Sequence, residues 1–137
     1  MTLINRNTDY AIRSLCMMAS QRRAGRVSVS DIVERLGIPR PFMRRILQAL
    51  HRAGILVAFK GKGGGFCLSR AAERISVTDV MEVFQAPLRI NKCFFKKKIC
   101  PRKGACRLKK RIDRIEKRVI AELRAITIRS LVGYHGG

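Results

Sequence analysis

Apolar residues recur every three or four positions through most of this chain, and the period breaks once, near the middle. The first periodic run spans about Asp9 to Ala19, with Tyr10, Ile12, Leu15, Cys16, Met18 and Ala19 at helical spacing. The polar stretch Gln21-Arg22-Arg23-Ala24-Gly25-Arg26 is expected to end it. A second helix is predicted from Ser28 to Leu36. Ser28 and Asp31 have the spacing of a capping box, Ile32, Val33 and Leu36 supply a buried face, and Gly37 stands where helices stop. A third begins near Pro39 to Pro41, with Phe42, Ile46, Leu47 and Leu50 as its predicted apolar stripe and Gly54 at its end.

Between 55 and 69 the pattern shortens. Ile55-Leu56-Val57-Ala58-Phe59 and Phe66-Cys67-Leu68 read as two strands joined by the turn Lys60-Gly61-Lys62-Gly63-Gly64-Gly65. Helical spacing resumes after Ser76-Val77-Thr78-Asp79 through Val80, Met81, Val83 and Phe84, and Pro87 is expected to end that helix. Ile90 to Ala105 has no convincing period and is expected to be a loop. From about Cys106 the period returns in Leu108, Ile112, Ile115, Val119, Leu123 and Ile126, in steps of three or four. Some 25 residues at 1.5 Å each would make one helix about 38 Å long.

Two short helices around a tight glycine turn have the form of a helix-turn-helix. The second carries arginines on its early turns, the part of such a helix that enters a major groove. Between Gly37 and Gly54 there are four basic residues and no acidic one, which a purely structural helix pair would rarely show. The basic, glycine-rich hairpin that follows reads as a wing, placed to touch phosphates or the minor groove. It lacks the Gly-Lys-Ser/Thr ending of a nucleotide-binding P-loop and does not lead directly into a helix. The DNA-contacting set drawn from these elements is Ser28, Arg40, Pro41, Arg44, Arg45, Gln48, Lys60, Lys62, Gly63 and Gly64.

Charge strengthens this view. The 137 residues include 30 Lys and Arg against nine Asp and Glu, a formal net charge of +21, and the pI is about 11.3. Such an excess repels itself in the folded state, so a polyanionic partner is expected, with nucleic acid ahead of an anionic membrane surface. A hydrophobic share of 47% suits a globular domain. No apolar run is long enough to span a bilayer, and the polar N-terminus does not resemble a secretory signal, so a cytoplasmic protein is expected. The long C-terminal helix has a narrow apolar seam and no mate after it. Pairing with its twin is favoured over folding back on its own domain, because palindromic DNA sites mirror a two-fold axis.

Three of the five cysteines, Cys93, Cys100 and Cys106, fall within fourteen residues, among Lys92, Lys96, Lys97, Lys98, Arg102, Lys103 and Arg107. In a reducing compartment that clustering points to metal or redox chemistry rather than disulfides, and the cations favour thiolate. An iron–sulfur cluster, a zinc ion and a thiol switch all remain open on spacing alone. Cys16 and Cys67 are expected to be packing residues. No paired carboxylates, nucleophile–His pair or nucleotide loop suggests an enzyme.

Taken together, several segments resemble the bacterial winged-helix transcription regulators of the Rrf family, which includes IscR and NsrR. They are Thr8-Asp9-Tyr10-Ala11-Ile12-Arg13, Ile32-Val33-Glu34-Arg35-Leu36-Gly37-Ile38-Pro39, Leu50-His51-Arg52-Ala53-Gly54-Ile55-Leu56 and the wing Gly63-Gly64-Gly65-Phe66-Cys67-Leu68-Ser69-Arg70, together with the three late cysteines. The resemblance covers nearly the whole chain. It implies a mainly α fold: a winged helix-turn-helix over 1–86, a cluster loop over 87–105, a long dimerisation helix over 106–132 and a tail over 133–137. It further implies a homodimer in which Pro41, Arg44 and Arg45 reach bases and residues 60–64 form the wing. Acidic or amide residues stand elsewhere in the family where Arg44 and Arg45 stand here, so a different operator is expected, with guanine opposite the arginines.

The same resemblance implies an iron–sulfur cluster on Cys93, Cys100 and Cys106. The 2Fe–2S members carry a histidine three residues after the third cysteine, where this chain has Lys109. NsrR-like members use an aspartate near the N-terminus of the other subunit, and Asp9 matches that place; a residue favoured by the helix dipole is the alternative for it. The expectation is therefore a 4Fe–4S rather than a 2Fe–2S cluster, and a repressor that senses nitric oxide, redox state or iron and cluster supply. Two other functions stay in view: a cluster-free regulator with thiol switching, and a non-regulatory basic nucleic-acid-binding protein.

Overall fold

Asn5 starts the first helix. Its side-chain oxygen accepts the Thr8 N–H at 2.8 Å, which satisfies one of the orphan donors of the first turn, and α1 runs Arg6–Ala19. That start lies ahead of the first apolar position, because periodicity does not register a cap. The structure, a computed structural model, describes residues 2–20, 25–89 and 107–132. Residues 90–106 with Cys93, Cys100 and Cys106, which include most of the expected cluster loop, lie outside the described residues, as do 21–24 of the first linker and the tail.

After α1 come α2 (Val29–Leu36), α3 (Arg40–Arg52), β1 (Leu56–Phe59), β2 (Gly65–Leu68), α4 (Val77–Phe84), α5 (Arg107–Ala125) and α6 (Ile128–Val132), with a single 3-10 turn at Ala72–Arg74. The fold is mainly α with a two-stranded antiparallel wing, Leu56 facing Leu68 and Phe59 facing Gly65. Ser28 caps α2 by accepting the Asp31 N–H at 3.1 Å. Ser76 and Asp79 form a full capping box on α4. Gly37 ends α2 in the left-handed conformation, φ 67°, a backbone state that a side chain would strain.

The core gathers around α1. Ala11, Leu15, Met17 and Met18 are buried with Ile32 of α2, Met43, Ile46, Leu47 and Leu50 of α3, Leu56 of β1, Val80 of α4 and Ile128 of α6. Each large side chain removed from water in this way contributes about 1.5–3 kcal/mol. A polar knot ties the chain start to the end of α4. The Gln85 side-chain oxygen accepts from the Asn5 N–H at 3.1 Å and the Thr8 hydroxyl at 2.8 Å, and its amide donates to the Leu3 carbonyl at 3.0 Å.

Two expectations fail in detail. Met43, fully buried, takes the core position on α3 that the sequence pattern assigns to Phe42, which is 47% exposed. Residues 43, 46, 47 and 50 make the complete i, i+3, i+4, i+7 set, and Phe42 lies about 100° away from it. The C-terminal helix is also broken. It stops at Ala125, and Ile126–Thr127 leave the helix to pair with the strand-like segment before α4: Val77 N–H donates to the Ile126 carbonyl and Ile128 N–H to the Ile75 carbonyl, both at 2.9 Å. Thr127 then starts α6, its hydroxyl accepting the Ser130 N–H at 3.1 Å.

The wing is fastened by backbone to the start of α2. Val27 and Phe66 exchange two hydrogen bonds, Val27 N–H to the Phe66 carbonyl at 2.8 Å and Phe66 N–H to the Val27 carbonyl at 2.9 Å. Gly65, at φ 145°, lies so close that a Cβ there would fall against the Val27 carbonyl. Gly65→Ala is therefore expected to cost about 2 kcal/mol or more in denaturant unfolding. Gly61→Ala, with φ 84° but open space around it, is expected to cost only about 1 kcal/mol.

Candidate nucleic-acid interface

Because the core claims Met43, Ile46, Leu47 and Leu50, the rest of α3 turns Arg40, Pro41, Arg44, Arg45 and Gln48 to solvent. Proline fits the first turn of α3, where its missing N–H has no helical partner anyway. Arg40 is partly engaged: its guanidinium donates to the Ser30 hydroxyl on α2 at 2.8 Å. Ser28 sits half-buried at the head of α2, with its oxygen holding the cap.

Opposite α3 stands the wing. Its tip closes through Gly64 N–H donating to the Gly61 carbonyl at 2.9 Å. Gly61 and Gly63 have positive φ, and a Cβ at Gly64 would lie 2.6 Å from the Phe59 carbonyl oxygen. Lys60 and Lys62 are exposed on this turn. Between α3 and the wing runs an open groove of about 560 Å³, with Arg44, Gln48 and His51 on the helix side and Phe59, Lys60 and Gly64 on the wing side. It brings together four of the expected DNA-contacting residues, Arg44, Gln48, Lys60 and Gly64. Ser28, Arg40, Pro41, Arg45, Lys62 and Gly63 lie outside its walls.

Three residues here escaped sequence reasoning. Arg26 lays its guanidinium over the Phe59 ring, 3.9 Å from the centroid, and donates to the Gly63 carbonyl at 3.4 Å. An exposed cation–π contact of this kind contributes about 0.5–1 kcal/mol, here between the approach to α2 and the wing tip. His51 orients its ring by donating from Nδ1 to the Leu56 carbonyl at 3.1 Å, since a carbonyl can only accept. Arg26 and Phe59 are 33 positions apart, and no local pattern signals their meeting.

Of the expected metal ligands only Asp9 is described. It lies in the first turn of α1, its side chain 47% exposed and paired with Arg13 at 2.9 Å. Lys109 is paired with Asp113 at 3.3 Å. Among the described residues no three His, Cys, Asp or Glu side chains gather into a metal site. Cys16 and Cys67 are half-buried free thiols, and burial pushes the Cys16 thiol up from its ordinary value.

Residues 4–134 match the model of the Rrf2 family, described as an iron-dependent transcriptional regulator. The chain belongs to the Rrf2 family. Its fold is shared with CymR, the global cysteine regulator of B. subtilis, at 20% identity and a TM-score of 0.81 over 98% of each chain. T. potens IscR superposes with a TM-score of 0.74 at 21% identity, over 97% of this chain and 88% of that one. Staphylococcus aureus CymR gives 0.74 at 21% identity, over 97% and 100%. At these identities the likeness is one of fold, and the Rrf2 match makes this a transcriptional regulator.

For this Rrf2 chain, Lys60→Ala and Lys62→Ala are each expected to flatten the slope of log affinity for duplex DNA against log salt by about 0.9, as one phosphate contact is lost. Arg26→Ala and Phe59→Leu are expected to weaken binding by similar factors of about two to five without adding in the double variant, because both release the same contact. Fluorescence anisotropy titrations over a salt series measure all of these.

Proposed function

We propose that this Rrf2 chain is a homodimeric, cytoplasmic DNA-binding repressor whose hold on a palindromic operator is controlled by an iron–sulfur cluster. One observation carries the DNA-binding part: the exposed face of α3 is basic, has no acidic residue, and faces a basic wing across a groove. Arg44, Arg45 and Gln48 of the helix reach base edges, and Lys60, Lys62 and the glycine backbone of the tip meet phosphates. The assignment of Ser28, Arg40 and Pro41 to the same contact surface follows from their exposure or position at the heads of α2 and α3.

The dimer reading rests on α5, which the structure divides. Its C-terminal half folds onto its own domain: Leu123 is buried with Val77 and Met81 of α4, and Val119 packs beside it. Its N-terminal half leaves apolar side chains open. Leu108 is 67% exposed and Ile115 49%, one apolar seam that a second copy would cover. Among the described residues no helix is long and apolar enough to cross a membrane.

The family's description as iron-dependent supports a cluster, held by Cys93, Cys100 and Cys106 of one protomer and Asp9 of the other. Asp9 suits a ligand donated across a dimer, because its carboxylate is half-exposed and its pairing with Arg13 is a surface contact of about 0.3–0.5 kcal/mol. Where 2Fe–2S members carry histidine this chain has Lys109, its amine paired with Asp113, which favours 4Fe–4S over 2Fe–2S. When bound, the cluster supplies a centre that nitric oxide, oxidants or iron shortage can destroy. The chain's own part is transmission. Asp9 stands on α1, whose Ala11, Leu15 and Met18 share one core with Met43, Leu47 and Leu50 of α3. A tether at Asp9 thus sets where α3 stands, and two half-sites are engaged only at a fixed separation.

Anaerobically purified protein is expected to be brown, with about four irons and four sulfides per protomer. Cys100→Ala is expected to be colourless, and Asp9→Ala to lose iron faster while keeping its helical signal. Colourless wild type after anaerobic reconstitution would overturn the cluster reading in favour of switching by cysteine thiols. Leu108→Glu with Ile115→Glu is expected to sediment as a monomer and to lose at least tenfold in affinity for a two-half-site duplex. Uniform binding to all DNA sequences would instead overturn the palindromic-operator reading.

A further inference from the structure

Phe42 belongs to neither hydrophobic cluster of the described residues. It is 47% exposed at the third position of α3. It cannot rotate inward without expelling Met43, since the fully buried Met43, Leu47 and Leu50 fix the phase of the helix. A scattered exposed phenylalanine is unremarkable on most surfaces. Here the next turn carries the exposed Arg45, three residues on, the same helix also presents Arg40 and Arg44 to solvent, and it contains no acidic residue. An apolar protein partner would have to strip water from those guanidinium groups. The partner that matches a ring set among cations is a polyanion with an apolar spot on it.

The major groove of DNA offers one such spot on a base-pair edge, the C5-methyl group of thymine. Side chains on a helix lean towards its N-terminus, so the ring covers the first turn of α3, the end that leads into the groove. Arg44, Gln48 and His51 line the side of α3 that faces the wing. Phe42 lies on the other flank, three residues and roughly 5–6 Å from Arg45.

We propose that Phe42 is a specificity-determining residue that reads a thymine methyl group in each half-site, beside the base pair met by Arg45. This rests on the DNA-reading function proposed above and adds to it one named base feature. The contact needs no hydrogen bond. It discriminates thymine from cytosine, and from uracil, by van der Waals contact and by the apolar area it removes from water.

The test uses the full-length protein and a duplex enriched by it from a random-sequence pool. Each thymine of one half-site, with its symmetry mate, is replaced by deoxyuridine, which removes the methyl group and leaves base pairing intact. For wild type, one thymine position is expected to be methyl-sensitive, with affinity falling about fourfold per half-site, as for one buried methyl group. Phe42→Ala is expected to bind the thymine and deoxyuridine duplexes equally, with the deoxyuridine affinity close to that of wild type. Phe42→Leu is expected to keep part of the discrimination. The ring is about half exposed and lies outside the buried core, so all variants are expected to keep the wild-type helical signal at the assay temperature. The inference is overturned if no thymine is methyl-sensitive, or if Phe42→Ala keeps the full sensitivity. If no sequence is enriched from the pool, sequence-selective DNA binding itself fails and the inference falls with it.

Discussion

The candidate interface depends on one close backbone approach, where Val27 and Phe66 exchange hydrogen bonds and Gly65 passes against the Val27 carbonyl. A two-stranded hairpin alone is marginal in water. Here the third element that steadies it is the residue just before the Ser28 cap, so wing and helix-turn-helix cannot be positioned independently. The bond donors and acceptors are main-chain, and the position that cannot carry a side chain is Gly65. Arg26 adds a second tie at the tip through Phe59 and the Gly63 carbonyl. Both ties lie on the tip side of the hairpin, beside the groove between α3 and the wing.

From that frame a mechanical line runs back through the molecule. α3 shares its buried face with α1, and α1 is held by α4 and α6. The knot of Asn5, Thr8 and Gln85 joins the start of α1 to the end of α4. Asp9 projects from the first turn of that same α1. A close-packed core transmits displacement rather than absorbing it, so a shift of α1 beside Asp9 would carry through the shared core to α3. The division of α5 serves the same end: its buried half anchors it to α4, and its exposed seam is available to a second copy.

Electrostatics shapes what such a molecule can bind. The ion pairs Arg13–Asp9, Arg70–Asp79 and Arg129–Glu73 lie at least partly in solvent and add little to stability. With 30 Lys and Arg against nine Asp and Glu, carboxylates are too few to neutralise most of the cations. That excess favours association with a polyanion and makes it steeply salt-dependent. Phe42 sits within this field as an apolar exception, which is why its exposure carries meaning that a lone surface phenylalanine would not.

What was legible from the amino-acid order is local. Ser28 and Ser76 as caps, Gly37 as a stop, Pro41 in a first turn and the glycine tip of the wing each act within a few residues, so their neighbours in sequence are their partners in space. Fold class and the cationic face of α3 follow from the same short-range rules. The three late cysteines are legible in sequence alone, since their surroundings fall outside the described residues. What only the tertiary structure decided are choices between near-equivalent local patterns and meetings of distant segments. Periodicity says which residues share a helix face, but whether Met43 or Phe42 turns inward depends on what packs opposite. Ile126 continues an apolar period perfectly well, yet the chain leaves the helix there because Ile75 and Val77 offer hydrogen bonds that no sequence neighbour announces. Arg26 meets Phe59, and Asn5 meets Gln85, across dozens of residues, and contacts of that reach are set by the closure of the whole chain.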